Sequence, residues 1–183
     1  MKNSAHESAA LAAPHPHTML GKEEAGMIQV AIGQAKVGRT ANVLTTQVGA
    51  GVAIGMLWRG GGVCALAHCP LPESPTPGLR LGARYINHAV PSLLVMMGVR
   101  PEDRDQVEVF IAGGAHADAQ GGTGLLNIAS ARKYLAYYGL SASQAEVGGT
   151  QARTVSIDCL DFSCKTEKTD RDIHGPEFQL GEQ

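Results

Sequence analysis

Residues 64–69, CALAHC, place a histidine close to two cysteines, and these residue types combine in nucleophilic catalysis. His68 ends an apolar run that follows a glycine triplet and stops before Pro70. In an extended strand Cys64 shares a face with His68 but lies about 13 Å away, beyond hydrogen-bonding reach, and Cys69 points to the opposite face. Only a bend at Pro70 would bring the Cys69 thiol to the imidazole. These residues alone therefore favour a structural histidine.

The elements that must position His68 are short strands separated by glycine-rich turns. Strands are predicted at residues 27–32, 43–48, 52–58, 63–68, 107–112, 142–147, 153–159 and 162–166, with a polar connection at 37–42 and a proline-rich loop at 70–78. Helices are predicted at 79–98, where Pro91 should kink or divide the helix, and at 125–138. Strands outnumber helices and cluster at both ends of the chain. The sequence therefore predicts an α+β layered domain.

Length and composition indicate one domain. We predict an N-terminal tail over residues 1–26, a domain over 27–168 and a C-terminal tail over 169–183. The net charge of −2, with both signs mixed along the chain, argues against nucleic-acid binding. No apolar run approaches the roughly 20 residues of a membrane helix, and the first residues do not form a signal peptide. Four cysteines without an export signal indicate reduced thiols, so we predict a cytoplasmic protein.

Other chemically suggestive residues carry less weight. The turn at residues 49–51 is followed by a strand rather than a helix, which argues against a dinucleotide site, and no GK[ST] sequence forms a phosphate-binding loop. His15 and His17 are metal-ligand types in a predicted tail, where adventitious binding is the most to expect. His116 and Asp118 could pair within a glycine-rich loop. We predict no cofactor and no metal site.

The order of the short motifs is more informative than any one of them. The chain carries AHxxLP[DE]S over residues 67–74, AGGA over 112–115, NI at 127–128 and GGxxxRxV over 148–155. In this order, and with the glycine turn at residues 45–54, the sequence resembles the CheD family of chemoreceptor glutamine deamidases.

This resemblance implies a four-layer α/β/β/α sandwich of the toxin-deamidase type and a Cys-His-Thr site. In the family a cysteine attacks a receptor glutamine carboxamide, and a histidine activates the thiol. Matched residue by residue, the histidine is His68, the threonine is Thr45 and the nucleophile position is Gly51. The implied partners are chemoreceptor cytoplasmic domains and a CheC-type phosphatase.

The family's GxGSCV segment is QVGAGV here, at residues 47–52, so the nucleophilic cysteine is replaced by Gly51. Glycine cannot add to an amide, and the hydroxyl of Thr45 or Thr46 lacks the thiolate character of cysteine. Three interpretations follow: a catalytically degenerate member that binds its partners, an active deamidase that uses His68 and a relocated thiol such as Cys69, or a glycine introduced at position 51. We favour the first.

Overall fold

The computed structural model describes residues 26–76, 78, 81–116 and 122–172. Nine strands are present in these ranges: β1 (Met27–Gln29), β2 (Ala35–Gly38), β3 (Val43–Val48), β4 (Val52–Trp58), β5 (Val63–Cys69), β6 (Glu108–Gly113), β7 (Ala142–Val147), β8 (Gln151–Asp158) and β9 (Ser163–Asp172). Two α-helices, α1 (Ile86–Met97) and α2 (Gly122–Tyr137), join them. Short 3-10 turns lie at Arg59–Gly61 and Pro101–Gln106.

The strands form two sheets that pack face to face. One sheet has the order β1-β3-β8-β9 and the other has the order β2-β5-β4-β6-β7. Helices α1 and α2 lie against the five-stranded sheet, on the face that is turned away from the four-stranded sheet. The described residues therefore form three layers: helices, a five-stranded sheet and a four-stranded sheet.

The central strands β4 and β5 are buried on both faces, which explains their nearly continuous apolar sequences. Alternate residues serve two cores. Ile54 and Ala67 belong to the cluster under the helices, whereas Ala53 and Leu66 belong to the cluster between the sheets. This alternation fixes which side chains of β5 face the four-stranded sheet. His68 is one of them, because it follows Leu66 by two residues.

Several predicted elements are confirmed, and others differ from the prediction. Strands β3, β4 and β7 have the predicted bounds, and β8 and β9 form the predicted hairpin. The short edge strand β2 begins at Ala35 and overlaps the segment 37–42, which the sequence predicts as a connection, at residues 37 and 38. It pairs antiparallel with β5 and carries the exposed Lys36. Strand β9 reaches Asp172 and is longer than the strand predicted at 162–166, while the domain bounds of 27–168 stay a prediction.

Helix α1 begins later than predicted, because residues 81–85 are held outside the helix. Leu71 forms a β-bridge with Tyr85, and the backbone N–H of Ile86 donates to the carbonyls of Leu71 and Pro72. Helix α1 continues through Pro91 undivided, so of the two predicted effects only the kink stays a prediction. Proline removes one backbone hydrogen bond, but the helix is buried on several sides, and this packing holds it together.

The α+β class is confirmed. The described residues show no second helical layer on the outer face of the four-stranded sheet, so the four-layer detail stays a prediction. No helix among these residues is long and apolar enough to span a membrane.

Candidate functional site

His68 lies at the end of β5 and faces the four-stranded sheet. Its backbone is fixed on both sides, because its N–H donates to Gln34 and its carbonyl accepts from Gly33. Only 6% of the residue is exposed. Burial disfavours the charged imidazolium and lowers the pKa of His68 from 6.5 to about 4. The ring is therefore neutral at physiological pH, the state in which one nitrogen can accept a proton.

The hydroxyl of Thr46 determines which nitrogen that is. Thr46 Oγ1 donates its proton to the Val30 carbonyl at 2.8 Å and lies 3.0 Å from His68 Nδ1. A hydroxyl has one proton, so the Thr46 oxygen must accept from Nδ1–H. The neutral ring then carries its proton on Nδ1 and its lone pair on Nε2. Among the described residues, this tautomer leaves Nε2 free to act as a base.

Nε2 faces Gly51. A Cβ atom placed on Gly51 would lie 3.1 Å from His68 Nε2 and 3.0 Å from the Cys69 carbonyl oxygen. The backbone at Gly51 does not have a positive φ, so other residues can adopt it once the neighbours shift by a few tenths of an ångström. The position that the resemblance assigns to the nucleophile and the predicted base are therefore side by side, and no thiol lies between them.

Backbone and amide hydrogen bonds hold the Gly51 turn in place. Asn127, fully buried on α2, donates to the carbonyls of Ala50 and Pro70 through its Nδ2, at 2.9 and 3.0 Å. The N–H of Gly114 donates to the Gly51 carbonyl at 2.7 Å. Gly113, at φ +105°, must be glycine here because a Cβ would clash with that same carbonyl. The turn, the segment after β5 and the AGGA segment thus form one rigid frame.

Thr45, which the resemblance assigns to the site, does not contact His68 in this structure. The Thr45 hydroxyl instead donates to the Val155 carbonyl and lies 3.3 Å from the Ser156 hydroxyl, within the four-stranded sheet. Successive side chains of a strand point to opposite faces, so only one of the two threonines can face β5. The structure places Thr46 at His68.

Cys69 cannot supply the missing thiol in this structure. Its side chain is fully buried in the core under the helices, on the opposite face of β5 from His68, and burial raises its pKa. Cys64 shares the His68 face but lies in the core between the sheets and contacts Cys159. Burial also raises the pKa of Cys164 to about 11. None of the four thiols, all of them in the described residues, lies within hydrogen-bonding distance of His68.

The weaker sequence candidates do not join this site. The His116 ring lies 3.0 Å from the Gly114 carbonyl, and Asp118 lies outside the described residues, as do His15 and His17. Within the described ranges, no group of three His, Cys, Asp or Glu side chains is placed to hold a metal ion. The residue that the sequence reasoning missed is Thr46. A signal for it was present in the sequence. Residues 44, 46 and 48 share one face of the strand, and because Leu44 and Val48 are apolar while Gln47 on the other face is polar, Thr46 lies on the face that should be buried.

The buried neutral histidine predicts a pH dependence of stability. Between pH 6.5 and 4 the unfolded chain binds a proton on His68 that the folded chain excludes, so the free energy of unfolding falls as the pH falls through this window. The full loss is roughly 3 kcal/mol. Urea unfolding at several pH values should show a smaller loss for His68→Gln than for the unchanged chain. Equal pH profiles for the two proteins would contradict the assignment.

The family model and the similar proteins all point to the same family. A family model described as CheD chemotactic sensory transduction matches residues 70–168. A protein of Ruegeria sp. named probable chemoreceptor glutamine deamidase CheD 2 is 31% identical over 162 residues, which cover 76% of this chain and 90% of the relative. A probable chemoreceptor glutamine deamidase CheD of Methanococcus vannielii is 34% identical over 150 residues, covering 78% of this chain and 95% of the relative.

Proposed function

Because this chain belongs to the CheD family, we propose that it is a catalytically degenerate CheD protein that binds chemoreceptor cytoplasmic domains in the cytoplasm without deamidating them. One observation carries the proposal. The basic nitrogen of His68 faces Gly51, the position of the family nucleophile, and no thiol lies within reach of it. The base and its frame are retained, and the group that would form the covalent intermediate is missing.

Deamidation needs both groups. A thiolate adds to the glutamine carboxamide carbon, ammonia leaves with a proton from the histidine, and water hydrolyses the thioester to glutamate. His68 could accept and return the proton, but glycine offers no atom to attack the carbon. Binding has no such requirement, because the surface around the turn is held by Asn127 and the AGGA backbone rather than by residue 51.

A second partner is proposed for the same surface. We propose that it also binds a CheC-type phosphatase, since the resemblance implies that this partner docks around the active site and does not depend on the nucleophile. The four-layer sandwich also remains part of the proposal, with a further helical layer on the outer face of the four-stranded sheet. The alternative of an active deamidase using Cys69 has no support in the geometry, because that thiol packs under the helices.

The test uses the unchanged protein and a purified chemoreceptor cytoplasmic fragment. We expect saturable binding by calorimetry and no conversion of glutamine to glutamate by peptide mass spectrometry. A CheD protein that carries the nucleophilic cysteine serves as the positive control for conversion on the same fragment. Conversion by the unchanged chain would overturn the degenerate assignment, and absence of binding would overturn the binding role.

A further inference from the structure

A groove with two lobes runs along one side of the candidate site. The first lobe, a cavity of about 400 Å³, is lined by Ile32, Pro70 and Arg84 among others. The second lobe, a cavity of about 320 Å³, is lined by Arg84 again, with Thr76 and His88. Arg84 thus forms a wall that the two lobes share. Neither lobe is needed for the proton transfer described above.

The first lobe lies next to the Gly51 turn. The Cα of Pro70, in the first lobe, lies 3.4 Å from the position that a Cβ on Gly51 would occupy. Any polypeptide that presents a side chain to His68 therefore passes close to the first lobe.

The backbone of Arg84 is held in place beside this groove. Its carbonyl accepts from the Leu71 N–H, and its neighbour Tyr85 forms a β-bridge with Leu71, so the backbone of the arginine cannot swing freely. Its guanidinium lies 5.9 Å from the centre of the Tyr85 ring. Within the described part of the chain no carboxylate forms an ion pair with Arg84, which is exposed. An exposed guanidinium without an ion-pair partner is suited to a carboxylate.

The lobes on either side of Arg84 supply apolar and polar contacts. Ile32, in the first lobe, is 70% exposed, and Leu81, in the second, is 65% exposed. His88 is 6% exposed and also lines the second lobe, and its buried Nε2 has no hydrogen-bond partner among the described residues. A buried imidazole nitrogen without a partner is costly unless a ligand satisfies it.

We propose that this groove binds a polypeptide segment in which an acidic side chain is flanked by apolar ones. The carboxylate pairs with Arg84, and the apolar neighbours pack on Ile32 and Leu81. His88 hydrogen-bonds to a polar group that enters the second lobe. The inference rests on the proposed function in one respect: it takes the segment that lies in this groove to be the part of the bound receptor next to His68.

The test measures binding of two kinds of probe to the whole 183-residue chain. The first probe is a pair of fluorescein-labelled peptides of equal length, one with Leu-Glu-Leu at its centre and the other with Leu-Gln-Leu. The second probe is a purified chemoreceptor cytoplasmic fragment. The variants are Arg84→Glu and Arg84→Lys, and the matched control is Arg132→Glu, which changes an exposed arginine on α2 that lines neither lobe.

We expect Arg84→Glu to weaken binding of the glutamate peptide by about tenfold or more, because it places like charges together. Arg132→Glu should leave the affinity within about twofold, and Arg84→Lys should fall between the two. The glutamine peptide should bind the unchanged protein more weakly than the glutamate peptide does, because it lacks the charge that pairs with Arg84. Adding the glutamate peptide should shift the His88 ring signals in NMR spectra. Equal affinities of Arg84→Glu and Arg132→Glu for the glutamate peptide would overturn the assignment of peptide binding to this groove.

The receptor fragment separates this inference from the proposed function. If the fragment binds the unchanged protein and Arg84→Glu equally, the groove assignment fails and the binding function stands. If the glutamate peptide binds in an Arg84-dependent way but the fragment does not bind, the groove stands and the receptor function fails.

Discussion

Gly51→Cys is expected to convert this chain into a protein-glutamine deamidase. The new Cβ would lie 3.1 Å from His68 Nε2, and the thiol that it carries would be next to the nitrogen with the lone pair. Deprotonation, addition to the carboxamide and release of ammonia then follow without any other new group. The measurement is glutamine-to-glutamate conversion in a chemoreceptor cytoplasmic fragment, read by peptide mass spectrometry as a function of time.

Two controls separate the chemical effect of the thiol from the effect of the added side-chain volume. Gly51→Ala adds the same Cβ against the Cys69 carbonyl without a nucleophile, so it should share any change in melting temperature and show no conversion. Gly51→Cys combined with His68→Ala should lose about 10²- to 10⁴-fold of the restored rate, the usual contribution of a positioned base. If Gly51→Cys folds like Gly51→Ala and still converts nothing, the loss of catalysis involves more than this one residue.

Much of the fold is predictable from the sequence because the central strands are strongly apolar and bounded by glycine. Strands β3 and β4 flank the Gly49–Gly51 turn at the predicted residues. The edge strand β2 was not predictable in the same way. It has four residues, and it is a strand because it pairs with β5, not because of its own composition. The start of α1 likewise depends on a tertiary contact, the Leu71–Tyr85 bridge.

The residues of the site, like the elements of the fold, were predictable only in part. The motif order places His68 and Gly51, and the structure brings them together. The resemblance also gives Thr45, but it fixes a position in the chain and not the face of a strand. The face is decided by packing: Leu44 and Val48 face the core between the sheets, so Thr46 faces inward with them. A one-residue difference therefore changes which hydroxyl orients the imidazole.

Replacing Thr46 in the Gly51→Cys background is expected to lower the deamidase rate by about 10- to 100-fold, because the oriented Nδ1–H is what directs the basic nitrogen to residue 51. Thr46→Val keeps the side-chain shape but leaves both Nδ1 and the Val30 carbonyl without the hydroxyl. It should also lower the free energy of unfolding by about 1–3 kcal/mol. Thr45→Val is the matched control, and its rate should stay within about twofold.

Stability loss alone could lower the rate of Thr46→Val, so Thr46→Ser is the variant that decides the role. Serine restores the hydroxyl without the methyl group, and we expect it to recover most of the rate even where the melting temperature does not recover. The pH dependence of the rate provides a second readout, since loss of the Nδ1 partner changes the apparent pKa of His68 and moves the acidic limb of the profile. If Thr45→Val lowers the rate and Thr46→Val does not, the position given by the resemblance is the functional one, and the hydroxyl beside Nδ1 has only a structural role.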